Sequence, residues 1–267
     1  MLEAYFNHTF SPIIFELGPL QVRWYGILYM SGFVICYFIL KKLIRDKYFD
    51  YPVAKLDNLI IYIVLGVILG ARLLYVLVYD DFLEHLKHPW TVFAIWQGGL
   101  SFHGSILGLL VVMALVARKE RFSFWHIADT ISLGTPLGLG IGRIGNFMNG
   151  ELWGRTTSVP WAMIFPYGGT NPRHPSQLYE SFLEGFVLFT LLWLLRNRVK
   201  KEGSISMLFL IFYGIFRFII EFFREPDIQM GYYLSFLTMG QILCLLMILS
   251  GTLLFLIKNR KSRKTVL

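Results

Sequence analysis

A chain of 267 residues could form one or two globular domains, but 55% of this one is hydrophobic, 17% aromatic and only 16% charged, with a mean hydropathy of +0.57. Those values exclude an ordinary soluble domain or a disordered chain and indicate an all-α, polytopic membrane helix bundle. The formal net charge of +8 comes without a soluble basic face carrying base-reading or stacking groups, so nucleic acid is not an expected partner.

Residues 1–22 lack a positively charged start followed by an apolar core and a cleavage site, and are expected to be retained as an outer segment. There Phe6, Phe10, Ile13, Ile14 and Leu17 suit an amphipathic turn or two on the membrane interface, or an ordered loop capping the bundle. About seven runs are then long enough to cross roughly 30 Å of hydrocarbon. The first, 24–43, opens on Trp24 and Tyr25; the second, 58–78, carries Gly66 and Gly70 at a spacing for close helix contact and Arg72 in its outer third. The third, 99–117, starts within Gly98-Gly99-Leu100-Ser101-Phe102-His103-Gly104.

The fourth run, 124–144, leads into Gly142-Arg143-Ile144-Gly145-Asn146-Phe147-Met148-Asn149-Gly150-Glu151-Leu152-Trp153-Gly154, and residues 145–175 form an outward-facing loop or small head before the fifth. An arginine, two asparagines and a glutamate at the mouth of an apolar span are costly unless they face a bundle interior or a wet cavity. The fifth, 178–195, is entered through His174-Pro175-Ser176-Gln177, where a helix cap is the expected role of His174. Gln177, Glu180, Ser181 and Glu184 fall on one face of it. In the sixth, 205–223, Tyr213, Arg217, Glu221 and Arg224 lie within an arc of about 80°. The seventh is 236–257, and residues 1–267 read as a single integral membrane domain. Cys36 and Cys244 sit inside apolar spans, as packing residues with no neighbouring base, and no metal-ligand spacing emerges. Trp24, Tyr25, Trp90, Trp96, Trp153 and Trp161 are placed as interfacial anchors.

Seventeen of the 25 Lys and Arg fall in alternate connections, at 41–55, 118–121, 196–201 and 258–264. By the positive-inside rule this puts the N-terminus out and the C-terminus in. Arg72, His103, Arg143, Glu180, Glu184, Arg217, Glu221 and Arg224 then share the outer leaflet, while the inner halves of the spans are nearly all apolar. Arginines around an outer-leaflet opening suit a phosphate, since the guanidinium fork donates bidentately and stays charged when partly desolvated. An anionic phospholipid is the simplest such ligand. His103 is the natural proton acceptor near neutrality, or a hydrogen-bonded structural residue. A phospholipid or anion transporter with an arginine-lined outer cavity is the second reading, although charge along a transmembrane path and repeated halves are not evident. A hydrolase using Ser101 or Ser105 beside His103 is the third.

Taken together, the motifs resemble the prolipoprotein diacylglyceryl transferase family of bacterial inner membranes. Residues 142–154 match its signature throughout. They are joined in family order by Phe102-His103-Gly104, His174-Pro175-Ser176-Gln177, and Tyr213-Gly214 through Arg217, Glu221 and Arg224-Glu225-Pro226-Asp227, over essentially the whole chain. Ser105 stands where many relatives carry a second glycine, and the connection 224–238 is short.

The resemblance implies transfer of the diacylglyceryl group of phosphatidylglycerol to the lipobox cysteine of a prolipoprotein signal peptide, forming a thioether and releasing glycerol phosphate. It implies no cofactor and no metal, with the active site toward the periplasmic side of the cytoplasmic membrane. It also implies Arg143 and Arg217 as a phosphate clamp, with His103 as candidate base; water or a carboxylate such as Glu151 is the alternative proton acceptor. Asn146, Glu151 and Gly154 would shape the headgroup site, Tyr25 and Tyr213 would contact substrate, and Glu221 would orient Arg217.

Overall fold

The computed structural model describes residues 5–18, 20–80, 85, 87–94, 98–225, 232–233 and 237–263. Trp96, Pro226 and Asp227 of the expected landmarks lie outside them. The described residues contain α1 (Trp24–Arg45), α2 (Leu56–Val78), α3 (Phe102–Glu120), α4 (Phe124–Met148), α5 (Ser176–Leu195), α6 (Ser204–Ile220) and α7 (Met239–Arg263). A helix thus stands at every predicted run. Five of them, α1, α2 with its preceding turn, α3, α5 and α7, are long and apolar enough to cross a membrane. The protein is a multi-pass helical membrane protein. Its unpaired faces are apolar: Leu65, Leu69, Leu73 and Leu77 of α2 and Leu246, Leu249 and Leu253 of α7 are exposed, as lipid contact requires. α6 is shorter, and α4 is diluted by Asp129, Thr130, Pro136 and several glycines.

The helices are not the whole secondary structure. β1 (Phe6–Asn7) pairs in parallel with β4 (Met163–Ile164), β2 (Ile13–Leu17) forms a hairpin with β3 (Leu20–Arg23), and β5 (Tyr232–Tyr233) pairs with β6 (Leu237–Thr238). The amphipathic turns expected before residue 22 are therefore replaced by strands. β-branched Ile13, Ile14 and Val22 favour extended backbone, and Gly18 supplies a positive φ of 59° at the turn. His8, just beyond β1, is buried, and its Nε2 lies 2.6 Å from Phe147 O, which fastens the N-terminal segment to the end of α4.

The chain clusters into two compact units, residues 40–128 and residues 1–39 with 129–267. In the first, α2 and α3 run antiparallel. Gly66 meets Gly108 and Gly70 meets Gly104 so closely that a Cβ on any of them would overlap the opposing helix. This confirms the packing role expected for Gly66 and Gly70. At one end Phe49 stacks on Tyr51 at 5.1 Å, and Lys55 Nζ meets Glu120 Oε2 at 2.6 Å. At the other end Arg72 is buried, and its guanidinium donates to the carbonyls of Val92 (2.8 Å), Gly98 (2.9 Å), Gly99 (3.2 Å) and Thr91 (2.7 Å). Arg72 thereby ties residues 91–92 and 98–99 to α2.

In the second unit, α4 and α5 touch at Gly140 and Gly185, where a Cβ on Gly185 would come within 2.7 Å of Gly140 Cα. α6 packs on α7, with Gly214 against Cys244 and Ile248. One span half that was expected to be apolar is not. Asp129 of α4 is buried and caps α6 from outside it, Oδ2 accepting from Gly203 N (2.6 Å) and Oδ1 from Ser206 N (2.7 Å) and Ser206 Oγ (2.8 Å). A carboxylate there satisfies amide donors that α6 cannot satisfy itself and complements the positive end of its dipole.

Candidate active site

The charged cluster of the second unit is built on Glu180, which is fully buried. It closes the first turn of α5, immediately before the helix widens to a π-helical stretch over Ser181–Val187, a distortion often found where function requires it. The close approach at Gly140 and Gly185 brings α4 near enough for Arg143 to reach across. Arg143 Nε lies 2.7 Å from Glu180 Oε2, Arg217 Nη1 lies 2.9 Å from the same oxygen, and Arg224 Nη1 lies 2.8 Å from Oε1. Three guanidiniums, from α4, α6 and the segment following α6, thus meet on one carboxylate.

Further carboxylates hold this arrangement. Glu221 Oε2 lies 3.0 Å from Arg217 Nη2 and 3.7 Å from Arg224 Nε, while its Oε1 accepts from Thr238 Oγ1 at 2.9 Å. Glu184, one turn on from Glu180 and also buried, lies 3.7 Å from Arg217 Nη1. From Arg143 a second chain of contacts runs past the end of α4: Nη1 donates to Asn146 Oδ1 at 3.4 Å, Asn146 Nδ2 donates to Glu151 Oε1 at 2.9 Å, and Asn149 Nδ2 donates to the same oxygen at 3.3 Å. The start of α5 secures that strand of chain, with Gln177 Nε2 donating to Glu151 O (2.7 Å) and Ser176 Oγ to Leu152 O (3.3 Å).

Gly154 has a steric reason to lack a side chain. It forms a bridge with Arg224, and a Cβ there would overlap the Phe223 carbonyl oxygen. Arg155 N donates to Phe223 O (2.9 Å) and its Nε to Arg224 O (2.7 Å), so residues 154–155 guide the departing end of α6 and present Arg224 to Glu180. Tyr25 lies over Gly145 at the start of α1, half exposed and stacked on Tyr29 at 5.9 Å. Tyr213 sits one turn before Arg217, its ring stacked on Phe209 at 5.7 Å.

One residue behaves otherwise than anticipated. Pro175, not His174, precedes the first turn of α5, and no side chain caps it; His174 Nδ1 instead lies 3.2 Å from the Tyr179 hydroxyl, with its ring edge on Phe223. Burial draws the His174 pKa below the ordinary imidazole value. His103 belongs to the other unit, on the exposed side of the first turn of α3 beside Phe102. The adjacent serines are spent on that helix start: Ser101 Oγ accepts from Gly104 N at 3.3 Å and Ser105 Oγ donates to Ser101 O at 3.3 Å.

A family model described as prolipoprotein diacylglyceryl transferase matches residues 12–257. The chain belongs to the prolipoprotein diacylglyceryl transferase family. It is 48% identical over 254 residues to a protein of Mannheimia succiniciproducens, covering 94% of each chain. It is 46% identical to one of Photobacterium profundum, covering 96% of each, and 45% identical to one of Pasteurella multocida, covering 99% of this chain and 98% of the other. Each of the three is named phosphatidylglycerol–prolipoprotein diacylglyceryl transferase. Within this family member, Glu180 and Arg224 are central to the cluster although the sequence reading assigned neither a role in the site. Their signal was available in the shared depth of Glu180, Arg217 and Arg224, but sequence spacing along one helix does not reveal contacts between helices.

Proposed function

We propose that this chain transfers the diacylglyceryl group of phosphatidylglycerol to the lipobox cysteine of prolipoproteins, the first covalent step of bacterial lipoprotein maturation. The observation that carries the reading is the meeting of Arg143, Arg217 and Arg224 on Glu180, in a chain related over nearly its full length to proteins named for that reaction. In the reaction the substrate thiolate attacks the glyceryl carbon, an S–C bond forms, the C–O bond to phosphate breaks, and the electron pair leaves on glycerol phosphate. Arg143 and Arg217 act as the clamp that stabilises charge building on the departing phosphate, an interaction stronger in the transition state than in the ground state.

Asn146, Glu151 and Gly154 shape the headgroup site, Tyr25 and Tyr213 contact substrate, and Glu221 orients Arg217. A free thiol has a pKa of about 8.5, so a base or positive field usefully raises its thiolate fraction. His103 fills the role of base in this reading, with Glu151 or water as the other acceptors. We place the protein in the bacterial cytoplasmic membrane as one integral domain of about seven spans. The N-terminus is out and the C-terminus in, residues 145–175 form a head on the outer side, and the active site opens toward the outer leaflet. The positive-inside asymmetry supports this orientation.

The test is to incubate purified protein in detergent with phosphatidylglycerol and a lipobox peptide and to weigh the peptide. A mass gain of one diacylglyceryl group, borne by the cysteine, is expected; an unmodified peptide would contradict the reading.

A further inference from the structure

Glu180 stands where the phosphate clamp would be expected to hold its ligand, yet it belongs to the protein. Both of its oxygens are engaged: Oε2 by Arg143 Nε (2.7 Å) and Arg217 Nη1 (2.9 Å), Oε1 by Arg224 Nη1 (2.8 Å). The three donors come from separate chain segments, and among the described residues Glu180 alone lies within 3 Å of all three; like charges so close would otherwise splay apart. Arg143 meets the carboxylate through Nε, which leaves its terminal nitrogens out of that bond, one of them 3.4 Å from Asn146 Oδ1. Arg217 commits Nη1 to Glu180 and Nη2 to Glu221, so its orientation is fixed from two sides. A carboxylate in this position neutralises part of the field in the resting site while holding every guanidinium in one arrangement.

We infer that Glu180 is the positioning residue of the phosphate clamp, a built-in counter-anion that orders Arg143, Arg217 and Arg224 for the departing phosphate without touching substrate itself. The inference rests on the proposed function and deepens it. Charge and order make opposite demands on the two kinetic constants. Removing the carboxylate charge leaves the site more positive, which favours docking of an anionic lipid, and releases the arginines from the geometry that the transition state needs.

The experiment measures thioether formation by purified full-length protein against phosphatidylglycerol concentration, for wild type, Glu180→Gln and Glu180→Asp. For Glu180→Gln, kcat is expected to fall about 100-fold, the size of effect that misplacing reacting groups by an ångström produces, while KM for the lipid falls. Glu180→Asp, which keeps the charge but shortens the reach, should recover part of the lost kcat. A smaller population of active protein would lower kcat with KM unchanged and would not be rescued by aspartate. That pattern, or a Glu180→Gln kcat within threefold of wild type, would overturn the inference. If Glu180→Gln fails to accumulate in membranes, Glu180→Asp alone decides: a kcat about 10-fold below wild type is expected, and a wild-type kcat would overturn it. Wild-type turnover separates the two readings, since its absence would count against the proposed reaction and its presence leaves the Glu180 comparison decisive.

Discussion

Arg224 enters the cluster from a segment that has already left α6, and its reach to Glu180 depends on the backbone beside it. Gly154 bridges to that segment with no room for a Cβ against the Phe223 carbonyl oxygen. Gly154→Ala must therefore push residues 223–225 outward, carrying Arg224 away from Glu180 and loosening the set of three guanidiniums. A loss of about 100-fold in kcat is expected for a displacement of this kind, with the protein still inserted. Turnover by Gly154→Ala at the wild-type rate would show that Arg224 placement does not matter. The cluster also differs from an isolated surface ion pair, which is worth little. A buried carboxylate shared by three arginines is strongly destabilising to break, because removing one partner leaves uncompensated charge in a poorly solvated place.

At the scale of elements, the second unit is assembled from contacts that admit no side chain, and the same device recurs in the first unit between α2 and α3. There Gly108 lies against Gly66 with its carbonyl oxygen inside the volume of a Cβ. Gly108→Leu is expected to force the two helices apart, at a cost of about 1–3 kcal/mol or more for overpacking a close interface. Thermal unfolding in detergent reads this directly, and an unchanged midpoint would mean that the helices do not rely on that approach. The glycine spacing on α2 was legible because helical periodicity places Gly66 and Gly70 on one side. The ion pair of Arg217 with Glu221 was legible for the same reason, at 3.0 Å in the structure.

What periodicity cannot encode is a contact between elements distant in sequence. Glu180 reaching Arg143 and Arg224, Arg72 turning to the carbonyls of its own loop, and Asp129 capping α6 all depend on how helices are placed beside one another. The N-terminal segment misled for another reason. Phe6, Phe10 and Ile13 show apolar spacing compatible with a helical turn, but the residues from Ile13 to Arg23 gain more by pairing across a hairpin than a short isolated helix could.

For the whole molecule, composition gave the membrane class, and the runs it predicted coincide with helices along the described chain. The family is reached by the signature at 142–154 and by relatives matched along nearly the full chain. Its chemistry needs few elaborate parts: a thiol from the substrate, a proton acceptor, and fixed positive charge where the phosphate departs. In the proposed reaction the second unit supplies the last of these from the side chains of three segments, and Asn146 and Glu151 extend the polar network from Arg143 to Asn149.

The most direct measurement is the single-turnover rate of thioether formation at saturating phosphatidylglycerol for Arg143→Gln and Arg217→Gln in membranes where insertion has been verified. Each rate is expected to fall at least about 100-fold, as loss of a pre-oriented donor to a developing anion does. A wild-type rate from either variant would contradict a guanidinium clamp on the leaving phosphate.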